Sequence, residues 1–115
     1  MTVTIYHNPR CTKSRQTLAL LEKRGIKPTV IDYLALPPTE TELRHIIKLL
    51  KITPRELLRT KEEEYKHAKL DRPGLSDTDI IRAMVRHPRL IERPIVVSGN
   101  KAALGRPPEN VLKIL

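Results

Sequence analysis

Along this chain the apolar positions change period several times, and each change marks an element. Thr2-Val3-Thr4-Ile5-Tyr6 is rich in β-branched residues and bounded by turn formers, which predicts a strand. From Ser14 to Arg24 the period lengthens, with Leu18 and Leu21 on one face, and predicts a helix. Gly25 closes that helix and Pro28 opens the next segment, a second strand at Thr29-Val30-Ile31-Asp32-Tyr33. A strand-helix-strand unit of this kind makes its two strands parallel, with a right-handed crossover.

A helical block follows. Thr39 and Glu42 form a capping-box pattern, and Leu43, Ile46, Ile47 and Leu50 recur at i, i+3, i+4, i+7. Thr53-Pro54-Arg55-Glu56 repeats the start signal for a short helix through Leu57 and Leu58. Ser76 to Asp79 starts a third helix, with Leu75 and Ile80 placed as a hydrophobic staple. Ile80, Ile81, Met84 and Val85 form its buried stripe, and His87-Pro88 ends it. Between these helices the charged stretch from Thr60 to Gly74 has little pattern and reads as a surface loop, a frayed helix or a lid. Two apolar runs around Ser98-Gly99-Asn100 predict a hairpin. Arg106-Pro107-Pro108-Glu109 then opens a terminal helix with Val111, Leu112 and Leu115 as its apolar face. The order is β-α-β, three helices, β-β-α. It predicts an α/β fold with a mixed four-stranded sheet and a helical insertion between the βαβ unit and the C-terminal ββα unit, in one domain over residues 1–115.

Composition narrows the function. At 115 residues the chain suits one domain, and with no Phe or Trp its core must come from Leu, Ile and Val. A single cysteine excludes an internal disulfide and an internal resolving thiol, so any redox cycle must borrow a second thiol. No run is long enough to span a bilayer and no signal-peptide core precedes the first strand, so a cytoplasmic protein without a membrane partner is expected. The net charge of +9 points to anionic partners. Nucleic acid is not expected, because stacking residues are limited to Tyr6, Tyr33 and Tyr65 and the basic residues are dispersed. A small oxyanion, or an anionic thiol such as glutathione, fits the charge equally well.

Cys11 lies in the turn between the first strand and helix, at or beside the first helical position. Free cysteine is often a small buried hydrophobe, but here Arg10, Thr12, Lys13 and Ser14 surround it. Unpaired N–H groups at a helix N-terminus and the nearby cations Arg10, Lys13 and Arg15 both favour thiolate, the reactive form. His7 precedes it in the same turn, where it could ionise the thiol or simply cap the loop. Ser14 gives C-x-x-S, and its hydroxyl could bond the thiolate or satisfy first-turn backbone groups. Arg59 follows the Leu57-Leu58 turn, Arg93 directly precedes the hairpin and Arg106 directly follows it. Each could bind an oxyanion through its planar fork or serve only solubility. His45, His67 and His87 have no ligand spacing to Cys11, so no metal is expected.

His7-Asn8-Pro9-Arg10-Cys11-Thr12-Lys13-Ser14-Arg15, Leu57-Leu58-Arg59, Ile91-Glu92-Arg93-Pro94-Ile95-Val96-Val97 and Leu104-Gly105-Arg106-Pro107 together resemble the glutaredoxin-dependent arsenate reductase (ArsC) family. The resemblance spans essentially the whole chain. It implies a thioredoxin-like fold, Pro94 as a cis-proline, and Cys11 as the nucleophile that forms a thiol-arsenate adduct. It further implies Arg59, Arg93 and Arg106 as oxyanion ligands, and His7, Asn8 and Ser14 as the residues that keep the thiol ionised. No cofactor would be bound. Glutathione, as cosubstrate, and glutaredoxin would supply the electrons to a monomer. The best-known reductases carry Cys-Gly-Thr-Ser-Arg where this chain has Cys11-Thr12-Lys13-Ser14-Arg15. Two other functions share the fold: a glutathione-linked thiol oxidoreductase acting on another substrate, and a non-enzymatic transcription regulator resembling the Spx branch. The latter usually carries C-x-x-C, and Ser14 removes its second thiol.

Overall fold

The computed structural model describes residues 2–115, which fall into two compact units: residues 2–36 with 93–115, and Pro37–Glu92. The first holds a four-stranded sheet of β1 (Val3–His7), β2 (Thr29–Asp32), β3 (Ile95–Ser98) and β4 (Lys101–Leu104), together with helix α1 (Thr12–Lys23). The sheet order is β2-β1-β3-β4. β1 runs parallel to β2 and antiparallel to β3, and β3 is antiparallel to β4. The sheet is therefore mixed, with β1 and β3 central. Val3, Ile5 and Val96 from those two strands pack with Leu21 of α1 and Val111 of the C-terminal segment to form the core. The edge strands β2 and β4 are more exposed, which suits their shorter apolar runs.

Local signals explain the ends of α1. Cys11 is its N-cap in extended geometry. At the other end Gly25 adopts φ +77, a left-handed conformation that side chains resist. Gly25 and Ile26 donate to the Glu22 and Leu21 carbonyls at 2.9 and 3.0 Å, the two bonds of a Schellman stop. The C-terminal segment differs from expectation. It is a 3-10 helix, Pro108–Ile114, not an α-helix. Side chains three apart eclipse in a 3-10 helix, so Ile114 joins Val111 against the core while Leu115 stays exposed.

The second unit contains α2 (Glu40–Leu50), α3 (Glu63–His67) and α4 (Asp77–Arg86), with 3-10 turns at Pro54–Leu57 and Pro88–Leu90. Thr39, Thr53 and Ser76 each close a reciprocal capping box, with Glu42, Glu56 and Asp79 respectively. α2 packs against α4, which also meets both 3-10 turns. Leu43, Ile46 and Ile47 from α2 and Ile80, Ile81 and Met84 from α4 are buried, while Val85 is only half-buried. The charged stretch after Thr60 contains the short helix α3, none of whose residues is buried. No helix among the described residues is long and apolar enough to cross a membrane.

Candidate active site

Hairpin pairing builds the site. Ile95 pairs with Leu104 across β3 and β4, so the residues just outside that pair, Arg93-Pro94 and Gly105-Arg106, must also lie side by side. The Gly105 N–H donates to the Pro94 carbonyl at 2.9 Å, and Arg106 Nε donates to the Arg93 carbonyl at 2.7 Å. Asn110 Nδ2 holds the Arg106 carbonyl at 2.9 Å. The Arg93–Pro94 and Arg106–Pro107 peptide bonds are both cis; nothing in the local sequence separated the second from an ordinary trans proline.

Arg106 reaches Cys11, with Nη2 3.6 Å from Sγ. Arg93 also bonds the sulfur. Burial pushes the Cys11 thiol up, but the Ser14 backbone N–H, the Arg93 contact and the charges of Arg93 and Arg106 outweigh it and hold the thiol below the ordinary cysteine range. Cys11 forms no formal side-chain cap bond, so the Ser14 N–H acts on the sulfur as a weak donor at the helix N-terminus. The local cations read as neighbours of the thiol, Arg10, Lys13 and Arg15, are instead exposed. Arg15 turns back to the Pro9 carbonyl and Thr12 Oγ1, at 3.0 and 3.3 Å.

Beneath the sulfur lies a buried polar network. His7 Nδ1 is 2.6 Å from Ser14 Oγ, which also accepts from the Asn8 backbone N–H at 3.0 Å. The Asn8 carbonyl in turn accepts from the Cys11 N–H at 3.0 Å, and Asn8 Oδ1 from the Arg10 N–H at 3.0 Å. The Ser14 hydroxyl thus fixes the turn, and it is the Ser14 N–H that faces the sulfur. Burial lowers the His7 pKa and the charge of Arg15 adds to the effect, against the pull of Asp32, its partner across β1 and β2. This direction favours the neutral imidazole over a cation beside the thiolate. His7 braces the loop through Ser14.

Arg59 belongs to the second unit. Its Nε lies 3.2 Å from Glu62 and its Nη1 2.5 Å from Glu92, so two carboxylates already grip its guanidinium. No group of three or more His, Cys, Asp or Glu side chains among the described residues is placed to hold a metal ion.

Chemically, the first unit presents a thiol biased toward its anion beside two guanidinium groups, which can neutralise a second anion approaching the sulfur. One consequence is measurable. The rate of Cys11 alkylation plotted against pH should have its midpoint below the free-cysteine value of about 8.5. A midpoint at or above that value would show that burial wins over the cations. The sign carries into stability. A depressed thiol pKa contributes stability that is fully present above about pH 8.5 and is lost as pH falls through the folded value.

Comparison with known proteins places the chain among relatives along its whole length. The sequence profile of the ArsC family matches residues 6–114. An arsenate reductase of Haemophilus influenzae is 52% identical over 116 aligned residues, with 100% of both chains covered. An arsenate reductase of Neisseria meningitidis is 46% identical, over 98% of this chain and 97% of its own. Among solved structures, an arsenate reductase from Vibrio cholerae superposes with a TM-score of 0.97 at 52% identity, covering 100% of this chain and 98% of that one. The mixed sheet with its helical insertion is accordingly the thioredoxin-like fold of these proteins.

Proposed function

Because this chain belongs to the ArsC family, we propose that it reduces arsenate to arsenite through a covalent adduct on Cys11. The Cys11 thiolate attacks arsenic(V) and displaces one oxygen as water, forming the sulfur–arsenic bond. Two external thiols, one from glutathione and one from glutaredoxin, then leave joined as a mixed disulfide. Their two electrons take arsenic(V) to arsenic(III), and their two thiol protons leave with one arsenic oxygen as water. Hydrolysis of the sulfur–arsenic bond releases arsenite and restores the thiolate. External thiols are required because Cys11 is the chain's only cysteine.

The single observation that carries this reading is the Cys11 sulfur 3.6 Å from Arg106 Nη2, with Arg93 on the same atom. Arsenate and thiolate are both anions, and repulsion between them opposes attack unless fixed cations offset it. Arg93 and Arg106 are assigned that task, with Arg59 as the third oxyanion ligand once arsenate displaces a carboxylate from its guanidinium. Pro94, in its cis bond, directly follows Arg93 at the hairpin end. His7, Asn8 and Ser14 hold the turn that presents it. In this reading residues 1–115 act as one domain.

The test is an assay of purified protein with arsenate, glutathione and glutaredoxin. Arsenite should accumulate only when all three are present, and Cys11→Ser should reduce the rate to background. Equal rates for the wild type and Cys11→Ser would sink the proposal.

A further inference from the structure

The second unit carries an open cavity of about 440 Å³ between α3, α4 and the segment that joins them. That volume lies in the range of small-molecule sites. Leu70, Leu75 and Ala83 give its lining an apolar part. The same lining includes Arg72, Arg82 and Arg86, along with His67 and His87. The cavity shares no residue with the site around Cys11, Arg93 and Arg106.

The charge of this cavity is only partly balanced from within. Its one carboxylate, Asp79, accepts from the Ser76 N–H through Oδ2 at 3.0 Å in the cap of α4 and is also attracted by Arg72 and Arg82. Arg72 and Arg86 form no ion pair among the described residues. Arg82 makes an exposed contact through Nε, 3.4 Å from Glu40, and its charge also reaches Asp79. Arg82 and Arg86 are also four apart on one helix, a like-charge spacing that disfavours the helix. They share a face with Asp79 and Ala83, opposite the buried Ile80, Ile81 and Met84. Charges that serve only solubility are dispersed over the surface. Here three guanidinium groups line one concavity together with apolar side chains.

We propose that this cavity binds a small polyanion with an apolar body, carrying two or more phosphate or carboxylate groups. The arginine forks would take the oxygens in pairs, while Leu70, Leu75 and Ala83 cover the apolar part. The repulsion between Arg82 and Arg86 would then be relieved by the ligand, so occupancy should stiffen α4 and the segment before it.

Calorimetric titration with pyrophosphate and with citrate, at constant ionic strength, tests this. Wild-type protein should bind one or both saturably. Arg82→Gln combined with Arg86→Gln should weaken that binding about tenfold or more, and Arg72→Gln, which leaves the helix untouched, should weaken it too. Without ligand the double variant should melt no lower than wild type, since it loses a like-charge pair. Tighter binding of pyrophosphate identifies phosphate as the recognised group, and tighter binding of citrate identifies carboxylate. Several results overturn the proposal: no saturable binding, an equal response to chloride, or tighter binding of an acidic peptide than of either probe. Binding that is lost in Arg106→Ala but kept in the double variant also overturns it, because it belongs to the thiolate site.

Discussion

Arg106→Ala is expected to slow arsenate-dependent turnover by about 10²–10³-fold, the usual loss when one preorganised charge donor is removed from a site of developing negative charge. Two contacts disappear together: Nη2 at 3.6 Å from the Cys11 sulfur, and Nε on the Arg93 carbonyl at 2.7 Å. The first opposes burial of the thiolate and the second steadies the other arginine, so both cations weaken. The alkylation midpoint of Cys11 should therefore move to higher pH, a readout that needs no arsenate and so tests the electrostatics independently of the reaction. Arg106→Lys should recover part of the turnover, because a lysine keeps the charge and loses the fork that spans sulfur, carbonyl and oxyanion. If the midpoint stays in place and turnover changes less than about twofold, the guanidinium is a bystander.

Gly105→Ala should destabilise the protein by about 1–3 kcal/mol, the range for a methyl forced into a packed interior. A β-carbon at this position would stand 2.7 Å from Pro94 Cγ and 3.1 Å from Thr17 Cγ2, and closer still to the Thr17 hydroxyl. Neither neighbour can yield easily. The proline ring is tied into the backbone, and buried Thr17 bonds the Lys13 carbonyl within α1 at 2.8 Å. Gly105 also donates to the Pro94 carbonyl, so relief by moving its own backbone strains the hairpin end that carries Arg93 and Arg106. Chemical denaturation should show the lower midpoint, and the variant's Cys11 should alkylate more slowly at pH 7. An unchanged denaturation midpoint would mean that the chain has slack at this contact and that the steric account is wrong.

Much of the fold could be read along the chain. The capping residues Thr39, Thr53 and Ser76 start their helices where their spacing to Glu42, Glu56 and Asp79 predicts. Cap and box are local, so a window of four residues holds the whole interaction. Gly25 stops α1 for the same reason. Cys11 as the first capping residue of that helix was likewise legible, because strand, turn and helix follow one another without a gap. The C-terminal segment was harder to read. Val111, Leu112 and Ile114 permit either an α or a 3-10 period, and only packing against the sheet chose the tighter one.

The sequence by itself determined the elements, their order and a thiol at a helix N-terminus, since each depends on residues within a few positions of one another. Tertiary structure alone decided which of 22 basic side chains govern that thiol. The three nearest in sequence, Arg10, Lys13 and Arg15, are exposed, and the cation at 3.6 Å comes from Arg106, ninety-five positions away. Antiparallel pairing of β3 with β4 and of β1 with β3 carries it there. Coulomb's law acts over distance in space, and no local period in a sequence records that distance.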